Sequence, residues 1–165
     1  MSGVFGVAFG GGPHGSVAPL LESMGSAMRH LPWHRVHGES DDTYAVGLGH
    51  VGIGVIDPEP QPVSNADRSV TLVMAGEFYD RERKLGALAD QGAPGAPGSD
   101  ATLALKLYLA KGPDFVRSVE GMFAIAVWNR VTATLLVVND RFGLVPVYYA
   151  RTARGLAFAP ELKAV

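Results

Sequence analysis

Apolar positions along the chain follow two different periods. Residues 4–9 form a nearly continuous apolar run, Val-Phe-Gly-Val-Ala-Phe, which predicts a short buried strand. Between residues 17 and 31, Leu20, Leu21, Met24, Met28 and Leu31 recur at helical spacing, and Pro32 should stop that helix. Residues 45–57 carry Val46, Leu48, Val51, Ile53 and Val55 among small residues and predict one long strand or two short ones. Pro58, Pro60 and Pro62 mark a loop. Residues 70–74 predict a strong strand ended by Ala75-Gly76, residues 81–89 a short helix, and residues 92–98 a flexible low-complexity loop. Ser99 suits a helix N-cap and Asp100 its first turn, and residues 102–110 have so few polar positions that their helix should be buried. Further strands are expected at residues 123–128, 135–138, 147–150 and 156–159, with turns at 129–132 and 152–155.

This makes about seven strands and three or four helices, with strands gathered at both ends of the chain and helices in the middle. That order predicts antiparallel sheets packed against helices and not a doubly wound parallel sheet. Gly10-Gly11-Gly12 follows a strand but lacks the spacing of a nucleotide-binding loop.

Composition narrows the picture further. The chain has 165 residues, 47% of them hydrophobic, which suits one globular domain over residues 1–165 with its own core. Net charge is −2 with no basic cluster, which argues against nucleic acid as a partner. Cysteine is absent, so disulfides, thiolate metal sites and a cysteine nucleophile are excluded. No stretch has the basic-then-apolar form of a signal peptide or the length of a membrane span, so the expected location is cytoplasmic, with no membrane partner.

Candidate chemistry begins at Ser2. Removal of Met1 would leave Ser2 with a free α-amine of pKa about 7.7–8.0, a hydroxyl nucleophile carrying its own base. His30, His34 and His37 have a spacing that could gather a metal on a helix, but Pro32 interrupts them and no acid is near, so they read as loop histidines and no metal site is expected. His50 reads as a packed, hydrogen-bonded strand residue. Glu77 follows a glycine at a strand end. Together with Asp100 and an amine at Ser2 it would make a small polar site fit for an ammonium group. Asp140-Arg141 reads as a local ion pair at a tight corner, and Trp33 and Trp128 as packing residues.

The order of short motifs is more specific. Met1-Ser2-Gly3-Val4-Phe5-Gly6, Gly47-Leu48-Gly49-His50 through Ile56-Asp57 with Gln61-Pro62, Ala75-Gly76-Glu77-Phe78-Tyr79-Asp80, Ser99-Asp100, Glu120-Gly121-Met122-Phe123 onward to Trp128, Asn139-Asp140-Arg141-Phe142-Gly143 onward to Tyr149, and Phe158-Ala159-Pro160-Glu161-Leu162-Lys163-Ala164 run nearly end to end. In this order they resemble the N-terminal glutaminase domain of the asparagine synthetase family, the class II glutamine amidotransferases. The resemblance implies an α+β fold of the N-terminal-nucleophile hydrolase type, a four-layer αββα sandwich of two antiparallel sheets. It also implies an N-terminal nucleophile that releases ammonia from glutamine for a second domain that uses ATP.

The resemblance places Ser2 at the nucleophile position, where active members carry cysteine. It places Gly52, Val55, Ala75, Gly76, Glu77 and Asp100 around the glutamine pocket. Gly52 stands where the family has the arginine that grips the α-carboxylate, and Ala75 where it has the oxyanion-hole asparagine. Glu77 and Asp100, the family's partners for the α-ammonium, are kept. Each departure weakens glutamine hydrolysis, since one oxyanion donor alone is worth about 10²–10³ in rate. The expectation is a pseudo-glutaminase that needs no cofactor itself and scaffolds a synthetase or cyclase domain in cis or in trans, with ATP and magnesium belonging to that domain. β-Lactam synthetase and lasso-peptide cyclases are similar branches. The synthetase domain is expected to lie outside these residues, either on a longer chain or on a separate polypeptide. Two alternatives stay open: an active amidohydrolase using Ser2, and a standalone module that binds an amino acid in the old pocket.

Overall fold

A computed structural model describes residues 2–10, 15–54, 59–90 and 98–165, with backbone only at 87–90. The predicted loop at 92–98 and the end of the strand region predicted at 45–57 therefore lie largely outside the described residues, as do Met1 and Val55.

The elements run β1 (Gly3–Phe9), α1 (Ala18–Met28), β2 (Arg35–Asp41), β3 (Val46–Gly52), β4 (Val63–Ser64), β5 (Val70–Phe78), α2 (Arg81–Asp90), α3 (Asp100–Lys111), β6 (Gly121–Asn129), β7 (Thr134–Asn139), β8 (Tyr148–Thr152) and β9 (Gly155–Ala159). Short 3-10 turns follow α3 and β9. One sheet has the order β2-β3-β1-β9-β8 and the other β4-β5-β6-β7, every pair antiparallel.

Three apolar clusters separate four layers. Leu21, Met24 and Met28 of α1 pack on Phe5, Val7 and Val51 of the five-stranded sheet. Val4, Leu48 and Phe158 meet Val73, Ala75, Ala124 and Ala126 between the sheets. Leu72, Ile125 and Val127 on the outer face of the four-stranded sheet pack under Leu103, Leu107 and Tyr108 of α3 and Phe115 of the following turn. The alternation of strand side chains feeds both faces of each sheet, which is why β6 reads as an almost unbroken apolar run. This is the αββα sandwich of an α+β fold.

The Ser99 cap forms as expected: its Oγ accepts the Thr102 backbone N–H at 3.2 Å. Three expectations are corrected. Residues 35–41 are a strand and not a histidine-bearing loop; β2 is a sheet edge whose only apolar side chain is Val36, so periodicity could not reveal it. Helix α1 ends at Met28, three residues early, because the stretch before Pro32 is disfavoured in helical geometry and Leu31 has no core to enter. Strand β5 continues through Gly76 to Phe78, since β6 still pairs with it, Gly76 opposite Phe123 and Glu77 opposite Met122.

Trp33 is 63% exposed and packs in no core, whereas Trp128 is buried and its indole N–H donates to Asp41 at 3.1 Å. No helix among the described residues is long and apolar enough to cross a membrane.

Candidate functional site

The start of β1, the end of β3, the end of β5 and the loop before β8 converge at one end of the sandwich. They enclose a cavity of about 260 Å³, whose polar lining comes from Ser2, His50 and Glu77 and whose apolar walls include Ile53, Met74, Met122 and Val145. A larger open groove of about 960 Å³ lies at the opposite end, among the turn residues around Tyr44 and Arg154, away from Ser2.

Ser2 Oγ and His50 Nε2 are 3.2 Å apart, in hydrogen-bond contact. His50 is buried on β3, and its pKa falls to about 4, first through burial and then through the neighbouring His37, its cross-strand partner. The imidazole is therefore neutral at pH 7 and free to accept the Ser2 proton or to donate to its oxygen, according to tautomer. His50 is thus the packed residue expected, but it also contacts the candidate nucleophile. The contact spans 48 residues of sequence, which no local pattern reports.

Each remaining candidate can be placed. Gly52 and Gly76 line the cavity, and Glu77 is exposed at it. Gly76 adopts φ +97°, and a side chain there would collide with the Met122 carbonyl, so glycine is required for this close strand approach. Ala75 points into the core between the sheets and lines no part of the cavity. Asp100 also stays out of the lining: its Oδ2 accepts the Phe78 N–H at 2.8 Å and its Oδ1 lies 3.1 Å from Arg81 Nε, in ion-pair contact without hydrogen-bond alignment. Both carboxylate oxygens are engaged, so the expected Glu77–Asp100 ammonium site reduces to Glu77. Arg81 opens the helix after Glu77, a pairing visible only once α2 and α3 are brought together.

Two residues shape the walls. Buried Gln61 brackets the Met74 backbone, donating from Nε2 to its carbonyl at 3.0 Å and accepting its N–H at Oε1 at 2.7 Å. Asp140 does not pair with Arg141 as expected. Its carboxylate accepts the backbone N–H groups of Phe142, Leu144, Val145 and Phe123, which closes the loop that carries Leu144, Val145 and Pro146 to the cavity. Burial pushes its pKa up, and these donors outweigh burial to hold it low.

The histidines do not form a centre. His30 pairs with Glu161 at 2.7 Å, His37 faces His50 across the sheet, and no three metal-binding side chains converge among the described residues.

The glutamine amidotransferase domain family matches residues 1–165, the whole chain. The chain belongs to that family. This glutamine amidotransferase domain is 31% identical to asparagine synthetase B (glutamine-hydrolyzing) of Escherichia coli over 121 residues, which is 72% of this chain and 22% of that protein. It is 29% identical to asparagine synthetase 2 (glutamine-hydrolyzing) of Bacillus subtilis over 152 residues, 88% of this chain and 19% of that protein. Amidase chry2 of Gibberella zeae is 34% identical over 125 residues, 74% of this chain and 18% of its own length. The chain thus spans about a fifth of these relatives and corresponds to the glutaminase domain of the asparagine synthetase family. A solved structure of glutamine phosphoribosylpyrophosphate amidotransferase from B. subtilis superposes with a TM-score of 0.78 at 16% identity, covering 98% of this chain and 42% of that one. That likeness confirms the N-terminal-nucleophile hydrolase fold.

Proposed function

We propose that this domain keeps the glutaminase fold without glutamine hydrolysis and serves as scaffold for an ATP-dependent amide-forming domain, supplied in cis or in trans. The carrying observation is the cavity beside Ser2. Among the described residues its lining contains no arginine, no lysine and no side-chain amide. A hydroxyl replaces a thiol as nucleophile, no asparagine stands ready for an oxyanion, and Gly52 offers no clamp. The exposed Phe142 and Leu144, on the loop that reaches the cavity, supply an apolar surface for the partner domain. ATP and magnesium belong to that partner.

Glutamate release is the direct test. The expected result is no release above the uncatalysed background, and steady turnover of glutamine would overturn the reading. Replacing Ser2→Cys alone should not restore the activity, because the oxyanion donor and the clamp remain absent.

One observation favours a second reading. The 3.2 Å contact with His50 gives Ser2 a side-chain base, so a slow amidohydrolase would not depend on removal of Met1. Against it, no second group among the described residues hydrogen-bonds the imidazole, and a base with a pKa of about 4 is a weak one. Labelling by a fluorophosphonate separates the two: covalent modification of Ser2 that is lost in His50→Gln supports the hydrolase.

A further inference from the structure

Among the described residues the two sheets end in four edge strands, and three of them are guarded. β2 is rich in charge, with Arg35, Glu39 and Asp41, β4 is only two residues long, and β8 carries Arg151. Charge and shortness are common defences of an edge against pairing with another chain. β7 has neither: Thr134-Leu135-Leu136-Val137-Val138-Asn139 holds no charge and no proline. Its inner side pairs with β6 along its whole length. Alternate residues of an antiparallel strand send their backbone N–H and C=O groups to opposite sides. Among the described residues no strand or loop bonds the outer side of β7.

Beside that edge the sandwich is open. A trough of about 650 Å³ lies between β7 of one sheet and β8 and β9 of the other. Leu135, Val137 and Val147, half-buried around the inter-sheet core, line it and leave part of that core facing water. Three successive residues, Val137, Val138 and Asn139, reach the trough. Strand side chains alternate between faces, so three in a row present the edge of the strand, with its backbone groups, and not one face. Arg151 is the one charged side chain in the described lining, and it is exposed without a side-chain partner among the described residues. The domain's own edges offer it no free acid. β4, β7 and β8 contain none, and on β2 Glu39 is held by Arg68 and Asp41 by Arg130. A second copy paired through any of these edges would leave Arg151 unmatched.

We propose that the β7 edge is the docking site for an extended segment of a partner polypeptide, which joins the four-stranded sheet as a further strand and sets one acidic side chain against Arg151. Main-chain hydrogen bonds to β7 supply the affinity. The trough selects side chains at alternate positions of the segment, apolar over Leu135 and Val137 and acidic at the guanidinium. The trough and the cavity beside Ser2 share no lining residue, so this surface serves whether or not Ser2 reacts.

Calorimetric titration of the full chain with an acetylated, amidated heptapeptide tests this, its threonines alternating with valine, glutamate and valine. The peptide is expected to bind at submillimolar concentration, and a version with lysine in place of glutamate about 10-fold more weakly. N-methylating one alternate set of its amides should abolish binding and methylating the other set should spare it, the mark of pairing along a single edge. Amide hydrogen exchange should slow within residues 134–139 and stay unchanged on β2. Arg151→Glu should reverse the preference and take the lysine peptide over the glutamate one. Because Arg151 is exposed and unpaired, the melting temperature of that variant should match wild type, which removes misfolding as an explanation. The proposal is overturned if the glutamate peptide fails to bind at millimolar concentration, if the lysine peptide binds equally well, if both methylated forms bind, or if Arg151→Glu brings no reversal. A stable dimer in sedimentation velocity without peptide, with residues 134–139 protected, would overturn it too, since the edge would then belong to a second copy.

Discussion

The two ends of the sandwich treat charge in opposite ways. At the end where β2 turns into β3, Asp41 accepts the Trp128 indole N–H at 3.1 Å and pairs with Arg130 at 3.1 Å, and the Arg130 guanidinium lies 5.8 Å from the Tyr44 ring centroid. Asp41 and Arg130 hold each other there. At the other end, Arg35 and Glu77 stand beside a cavity with none among the described residues. A partly buried ion that is already paired holds structure, and breaking the pair exposes its cost. An unpaired ion beside a concave apolar wall holds nothing yet and is available to a ligand. The difference separates an end whose ion pair holds structure from an end whose charged side chains are open to solvent.

Substitutions can break that contrast, and the largest effect is expected at Asp140. It sits at the cavity end but is fully engaged by backbone donors, so it should behave like a closed-end residue. Asp140→Ala leaves buried N–H groups unpaired and should cost about 3 kcal/mol or more, read by urea denaturation.

The second effect is pH dependence through His50. Its folded pKa of about 4 lies below the ordinary histidine value, so the unfolded chain binds more protons between the two. Stability from the neutral imidazole is complete above pH about 6.5 and is lost as pH falls toward 4, by up to about 3 kcal/mol. Melting of wild type and His50→Gln at a series of pH values should show a steeper acid-side loss in wild type over that window. Parallel profiles would remove His50 as the cause.

Asp41→Ala comes third. It strips the Trp128 indole and Arg130 of their acceptor and should destabilise by about 1–3 kcal/mol. Smallest of all should be Arg35→Gln and Glu77→Gln, each within about 0.5 kcal/mol in stability because neither has a partner to lose. A loss at Arg35 comparable to that at Asp41 would erase the contrast between the ends.

Much of this fold was legible in the sequence because burial imposes periodicity. The stripe of Leu21, Met24 and Met28, the small-and-branched pattern of β3, the apolar run of β6, and the Ser99 cap all appear as predicted. Edge strand β2 was not legible: it is half in water, its side chains are mostly polar, and only its pairing with β3 makes it a strand. Motif order singled out Ser2, Gly52, Gly76 and Glu77, and one cavity gathers them. Asp100 was carried to the same site by that order, yet Phe78 and Arg81 engage it. Asp140 and Arg141 are adjacent in sequence, which suggests an ion pair, but the loop after Asp140 offers nearer donors.

By itself, then, the sequence determined the layers, the antiparallel pairing and the family, because these depend on local periodicity and motif order along the chain. Only the tertiary structure decided which charges are satisfied and which are free. Ser2 meets His50 across 48 residues, Asp100 turns to Arg81, and Arg35 comes opposite Gly52 through strand register. Coulomb attraction and hydrogen bonding act over a few ångströms of space, and sequence separation carries no information about that distance.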